Sequence, residues 1–125
     1  MADTEKTSNS KYRIAIASSD GESVNIHFGK SSFFYIYSID DESGYNLIEK
    51  RSVVPVCQDG SHVKSEMEES VKQFSDCKYV IASRIGPGAA QILTSAGINS
   101  MELPGSIDDA ILKVWKYNRV QGLFL

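Results

Sequence analysis

The chain has 125 residues, of which 42% are hydrophobic and 23% are charged, and these proportions predict a globular protein with one domain. Its formal net charge of −3 offers no basic excess that could neutralise a nucleic-acid backbone. No apolar run approaches the roughly 20 residues that a membrane-spanning helix needs. We therefore expect a cytoplasmic protein that binds neither nucleic acid nor membrane.

The N-terminal segment Met1–Lys11 is polar and mixed in charge, and it lacks the apolar centre of a signal peptide. We expect it to be a disordered tail that precedes a single domain over residues 12–125. The two cysteines, Cys57 and Cys77, do not form a Cys-x-x-Cys motif. In a cytoplasmic chain such a pair predicts two free thiols rather than a disulfide.

The first predicted strand lies near the start of the domain. Ile14–Ala17 is a short apolar run between polar segments, which is typical of a strand that is buried on both faces. The run ends in the turn-forming residues Ser18–Gly21, and the chain then places His27 on a loop before Phe28 and Gly29. An imidazole beside the end of a central strand is a candidate ligand.

The remaining pattern alternates between strands and helices. In chain order, the predicted elements are the strands Phe33–Ile39 and Tyr45–Val54, a helix over Ser61–Phe74, the strand Tyr79–Ala82, a helix from Gly86 to Ala96, the strand Asn99–Leu103, and a helix from Ser106 that ends near Asn118. The polar residues Asp40–Gly44 join the first two of these strands as a hairpin. This order predicts an α/β protein with a mixed sheet.

Three stretches form one pattern along the chain: Ile-Ala-Ile-Ala-Ser from Ile14, Val-Asn-Ile-His-Phe-Gly from Val24 and Phe-Phe-Tyr-Ile-Tyr from Phe33. This pattern resembles the dinitrogenase iron–molybdenum cofactor biosynthesis family over about Lys11–Asn118, and its specific part is the His-Phe-Gly element, His27–Gly29. Weaker agreement is found at Glu49–Arg51, Cys57, Asp76–Lys78 and Ile85–Gly88.

The resemblance implies a ribonuclease H-like fold, with five strands in the order 3-2-1-4-5 and helices on the faces of the sheet. In this order, the ends of the first, third, fourth and fifth strands and the start of the second share one edge of the sheet. Ligands of open α/β sheets bind outside the carboxyl ends of the strands. We therefore expect His27, the Pro55–Gly60 loop, Arg84–Gly88 and Pro104–Ser106 to converge there.

Two residues are candidate metal ligands. His27 is the first, because neutral imidazole suits iron and a single such ligand leaves a bound cluster removable. Cys57 is the second, because its polar neighbours favour an accessible thiol and thiolates bind iron–sulfur clusters. Each has a structural alternative: His27 as a capping or packing residue, and Cys57 as a small apolar residue. His62 is predicted to be a surface residue and Cys77 a structural one.

The residues Arg84, Gly86 and Gly88 are the candidate anion contacts. Glycines allow a ligand to approach the backbone closely, and a helix N-terminus attracts anions. Arg84 could pair with negative charge. The alternative is an ordinary strand-to-helix turn, and the stretch does not match the phosphate-binding Walker motif.

An enzymatic function is not expected. The strand Ile14–Ala17 carries no carboxylate for metal-assisted nuclease chemistry, and Ser18, Asp20 and His27 could form a triad on paper only. The family resemblance implies a non-enzymatic carrier of an anionic iron–sulfur-type cluster, the iron–molybdenum cofactor or a precursor, that works with a metallocluster biosynthesis or acceptor protein. The alternative is a metal-free regulatory or protein-interaction module on the same fold.

Overall fold

The computed structural model describes residues 11–53 and 64–123. The strands are β1 (Lys11–Ala17), β2 (Ser23–Val24), β3 (Phe33–Asp40), β4 (Gly44–Ser52), β5 (Tyr79–Ala82), β6 (Asn99–Glu102) and β7 (Gly105–Ser106). The helices are α1 (Lys64–Val71), α2 (Pro87–Ser95) and α3 (Ile107–Gly122), with short 3₁₀ helices at Phe28–Lys30 and Lys72–Phe74. None of these helices is long and apolar enough to cross a membrane.

Five strands form one mixed sheet in the order β4-β3-β1-β5-β6. β1 pairs antiparallel with β3 on one side and parallel with β5 on the other. The prediction that Ile14–Ala17 lies at the centre of the sheet is therefore confirmed. The predicted order 3-2-1-4-5 numbers only the five strands of this sheet. The two-residue strand β2 was not predicted, and once it is counted in chain order the same arrangement is written β4-β3-β1-β5-β6.

Both faces of the sheet are covered, because the side chains of β1 alternate between two apolar clusters. On one face of the sheet, Ala15 and Ala17 lie in an apolar cluster with Phe74 and with residues of α2. Ile14 and Ile16 pack against the other face under α3, where Ile111 is also buried. This burial on both faces explains why β1 reads as an unbroken apolar run.

The short strands β2 and β7 form a second sheet that was not predicted. β2 lies in the loop after β1, and β7 lies in the turn before α3. Their antiparallel pairing joins Ser23 to Ser106 and Val24 to Gly105, and the Ile107 amide donates to the Glu22 carbonyl (2.8 Å). Two-residue strands carry too few residues to show a periodic pattern in the sequence.

The boundaries of two helices test the local predictions. The helix predicted to end at Ala96 does stop there, because Gly97 follows α2 in the left-handed conformation with φ 81°. The prediction that the last helix ends near Asn118 is wrong, because α3 continues to Gly122. Asn118 is fully buried, and its side-chain oxygen accepts hydrogen bonds from Tyr79 Oη (2.8 Å) and Lys78 Nζ (2.7 Å). This tertiary contact overrides the weak helix propensity of asparagine.

Candidate functional site

The loops after β1, β5 and β6 meet at the carboxyl edge of the sheet, as expected from the strand order. The segment around His27 lies directly beside the segment that follows β5. The Ser83 amide donates to the Ile26 carbonyl (3.1 Å), and the Phe28 amide donates to the Arg84 carbonyl (2.9 Å). His27 and Arg84 thereby form a parallel bridge pair. Because paired residues of a ladder point to the same side, both side chains project from the same face of this bridge.

Phe28 determines which way the bridge faces. It is 3% exposed and packs its ring against Phe34 and Phe74 at centroid distances of 5.8 Å and 5.9 Å. Ile85, which follows Arg84, is buried in the same cluster. Since neighbouring residues alternate in direction, this anchoring turns His27 and Arg84 outward, and both are exposed.

His27 has neither of the structural functions that could explain it. It precedes a 3₁₀ helix, but its side chain makes no capping hydrogen bond. It is exposed rather than packed in the core. Among the described residues, no hydrogen bond or ion pair involves its imidazole. The ring therefore has no partner within the described part of the chain, and the capping and packing alternatives do not describe it.

The loop that follows Arg84 is open to an approaching molecule. Gly86 is the N-cap of α2 and Pro87 its first residue, and the Ala90 amide closes the first turn onto the Gly86 carbonyl (2.9 Å). A methyl group added at Gly86 or Gly88 would meet no atom within 4 Å. Packing therefore does not require glycine at either position, whereas close approach of a ligand to the backbone would.

Glu102 is a residue of this edge that sequence reasoning missed. It ends β6, and its Oε2 accepts a hydrogen bond from the Ile85 amide (2.8 Å). The bond fixes the start of the Arg84–Gly88 loop to the neighbouring strand. A single glutamate at the end of a strand carries no signal in the sequence that would distinguish it from an ordinary exposed residue.

The comparisons with known proteins agree with this architecture. The family model "Dinitrogenase iron-molybdenum cofactor" matches residues 10–117. The chain belongs to this family. It is 30% identical over 103 residues to the FeMo cofactor biosynthesis protein NifB of Chlorobaculum tepidum, covering 82% of this chain and 23% of that protein.

The chain is also similar to a second curated protein and to a solved crystal structure. The chain is 30% identical to the protein NifY of Klebsiella pneumoniae over 94 residues, covering 74% of this chain and 38% of NifY. The crystal structure of PH0822 superimposes with a TM-score of 0.61 and 27% identity, covering 83% of this chain and 90% of PH0822. The chain thus spans well under half the length of the curated relatives NifB and NifY.

Two of the motifs on which the family resemblance rests meet in an ion-pair network that includes neither His27 nor Arg84. Arg51 donates to both carboxylate oxygens of Asp76 (2.9 Å each), and its side chain also contacts Glu49 (2.7 Å). Arg13 adds a third bond to Asp76 (3.0 Å). These hydrogen bonds hold the pKa of Asp76 well below its usual range. The network is structural, because each of its charges has a partner inside the chain.

The remaining predicted site residues are not brought together in the described part of the chain. Cys57 and His62 lie outside the described residues. Cys77 is fully buried, and burial raises the pKa of its thiol to about 12, which fits the structural function expected of it. Within residues 11–53 and 64–123, no group of three or more His, Cys, Asp or Glu side chains could hold a metal ion.

The turn after β1 uses its polar side chains internally. Ser18 is fully buried, and its hydroxyl accepts a hydrogen bond from the Gly21 amide (2.9 Å). The Asp20 carboxylate accepts from the amides of Glu22 (2.8 Å) and Ser23 (2.9 Å), and these bonds lower the pKa of Asp20. These side chains shape the turn that carries the chain toward β2.

Proposed function

We propose that this chain is a non-enzymatic carrier that binds an anionic iron–sulfur-type cluster, the iron–molybdenum cofactor or a precursor of it, at the carboxyl edge of the sheet. The observation that carries the proposal is the His27–Arg84 pair, whose imidazole and guanidinium lie on one side of a backbone bridge and have no partner among the described residues. Membership of the dinitrogenase cofactor family supports the identity of the cargo. The cytoplasm is the compartment that we expect.

His27 would coordinate iron, and Arg84 would pair with the negative charge of the cluster. Among the described residues, no ion pair or hydrogen bond involves the Arg84 guanidinium. The exposed backbone at Gly86 and Gly88 would approach the cluster at the start of α2, where the helix dipole favours negative charge. Cys57 remains a proposed second ligand in the Pro55–Gly60 loop.

A single imidazole in the described residues suits a carrier rather than a permanent metal centre. Iron–sulfur clusters that stay in a protein are held by several thiolates, whereas a cargo must leave again. Weak coordination combined with charge attraction would allow transfer to a metallocluster biosynthesis or acceptor protein. The name of the NifB relative, a FeMo cofactor biosynthesis protein, supports such a partner.

The proposal is tested by anaerobic reconstitution of the purified chain with iron and sulfide. We expect retained iron after gel filtration, charge-transfer absorption and a raised melting temperature, because a ligand that binds only the folded state stabilises it. No retained iron and an unchanged melting temperature would favour the metal-free interaction module instead.

Variants of single residues locate the site. His27→Ala should lower the retained iron sharply. The free energy of unfolding should change by no more than about 0.5 kcal/mol, because the side chain is exposed and makes no capping hydrogen bond. Cys57→Ser should weaken binding further if its thiolate coordinates iron. Lys113→Ala, at an exposed position of α3, is the control and should retain as much iron as the wild type does. Equal iron retention by wild type and His27→Ala would end the case for this histidine.

A further inference from the structure

A groove distant from the His27–Arg84 pair lies between α3 and the β3–β4 hairpin. Its volume is about 510 Å³, which is in the range of small-ligand pockets. Its apolar lining includes Ile39, Ile111, Leu112 and Trp115. Leu112 is 48% exposed, so a large apolar side chain is presented to solvent at the groove. The function proposed above does not use this surface.

The charged residues that line the groove are all acidic. Its carboxylates are Asp40, Asp41, Asp108 and Asp109, and no lysine or arginine lines it among the described residues. Two of them have partners within the chain: Asp40 accepts a hydrogen bond from the Glu42 amide (2.9 Å), and Asp108 accepts one from the Tyr45 hydroxyl (2.7 Å). The groove therefore combines an apolar floor with an excess of negative charge.

One carboxylate oxygen in the groove lacks a donor. Asp41 Oδ1 is buried and has no hydrogen-bond partner, and the same holds for the hydroxyl of the fully buried Tyr12. The charge of Asp41 acts on Tyr12 and on Lys78, but Lys78 Nζ donates to Asn118 (2.7 Å). A buried acceptor without a donor costs free energy, which a donor from outside the chain would recover once the Asp41 side chain turns toward the groove.

We propose that this groove binds a lysine or arginine side chain of a partner protein. The cationic head would donate to Asp41 and lie among the other carboxylates, while its apolar stem and neighbouring residues would cover Leu112 and Trp115. The indole can accept such a cation, because Arg119 of the chain itself lies 5.1 Å from the Trp115 ring centroid. An apolar floor of this size favours an amphipathic side chain over a small inorganic cation.

Trp115 is the only tryptophan of the chain, so its fluorescence reports on the groove directly. The probes are two capped peptides, one alternating leucine with arginine and one alternating leucine with glutamate. We expect the basic peptide to change the Trp115 emission in a saturable way that weakens with added salt, and the acidic peptide to leave it unchanged.

Asp41→Asn identifies the acceptor and should fold, because Asp41 Oδ1 has no hydrogen bond to lose. We expect Asp41→Asn to lower the affinity for the basic peptide at least five-fold. Glu69→Gln removes the same charge from an exposed part of α1 and should leave this affinity unchanged. The proposal is overturned if the basic peptide gives no saturable change, or if the two variants weaken it equally. If spermidine binds with the same affinity as the basic peptide, the proposal of a protein partner is overturned. If the Trp115 emission changes with protein concentration alone, the proposal is overturned in favour of a second copy of the chain.

Discussion

Arg51 and Arg84 show how differently one kind of side chain is used in two regions of the molecule. Arg51 has an 18% exposed side chain and donates to Asp76, Glu49 and the Gln73 carbonyl. Its partners raise its pKa above the usual range of an arginine. Arg84 is exposed at the carboxyl edge, beside His27, with no described ion pair.

The difference separates residues that hold the fold from residues that the fold presents. In the ion-pair network, the positive charges of Arg13 and Arg51 are offset by Asp76 and Glu49 within the chain. At the carboxyl edge, backbone hydrogen bonds hold the segment in place and leave the side chains of His27 and Arg84 unused. A charged ligand gains more binding free energy from polar groups that have no partner in the chain than from groups that are already paired, so the second region is the candidate site.

The largest expected effect separates two neighbours in the sequence. Phe28→Ala should lower the free energy of unfolding by about 3–5 kcal/mol, because it leaves a cavity against Phe34 and Phe74. His27→Ala, one residue earlier, is the control with a near-zero effect. Urea denaturation of the two variants measures this contrast. A loss below about 1 kcal/mol for Phe28→Ala would show that the bridge is not anchored by this ring.

A smaller effect is expected in the ion-pair network. Asp76→Asn should lower the free energy of unfolding by about 1–2 kcal/mol, since two arginines lose a charged acceptor but the side chain is 37% exposed and solvent screens part of the interaction. Glu69→Gln, which removes an exposed pair with Lys72, should change it by less than about 0.5 kcal/mol. If the two variants lose equal stability in urea denaturation, the network is not structural.

The network also predicts how stability depends on pH. Because the folded protein lowers the pKa of Asp76, the carboxylate stabilises the fold above its unfolded pKa of about 3.9, and this contribution is lost as the pH falls further. Wild-type stability should therefore decrease below about pH 4. Asp76→Asn should show a shallower decrease over the same range. Parallel pH profiles of the two proteins, measured by urea denaturation, would assign the acid sensitivity to other groups.

The sequence predicted most of the sheet because its signals are local. Ile14–Ala17 and Tyr79–Ala82 are short apolar runs, and the turn residues Asp40–Gly44 mark the hairpin. The strand order came from the family resemblance rather than from periodicity. The predicted end of α3 was wrong because Asn118 is held by Tyr79 and Lys78, which are about forty positions away in the chain.

The candidate site could be predicted only in outline. The order of the strands brought His27 and Arg84 to one edge, and the structure pairs them directly. Three features have no counterpart in a local pattern: the outward direction of the pair, which depends on buried Phe28, the bond from the Ile85 amide to Glu102, and the orphaned oxygen of Asp41. Each depends on contacts between residues that are distant in sequence.

The most direct test exchanges one arginine in each region for glutamine and measures two properties of each variant. Arg84→Gln should lose most of the iron retained after anaerobic reconstitution and keep the wild-type free energy of unfolding. Arg51→Gln should lose about 1–3 kcal/mol of that free energy and, while folded, retain iron as the wild type does. If Arg84→Gln retains as much iron as Arg51→Gln, the carboxyl edge does not bind the cluster through this charge and the central claim is contradicted.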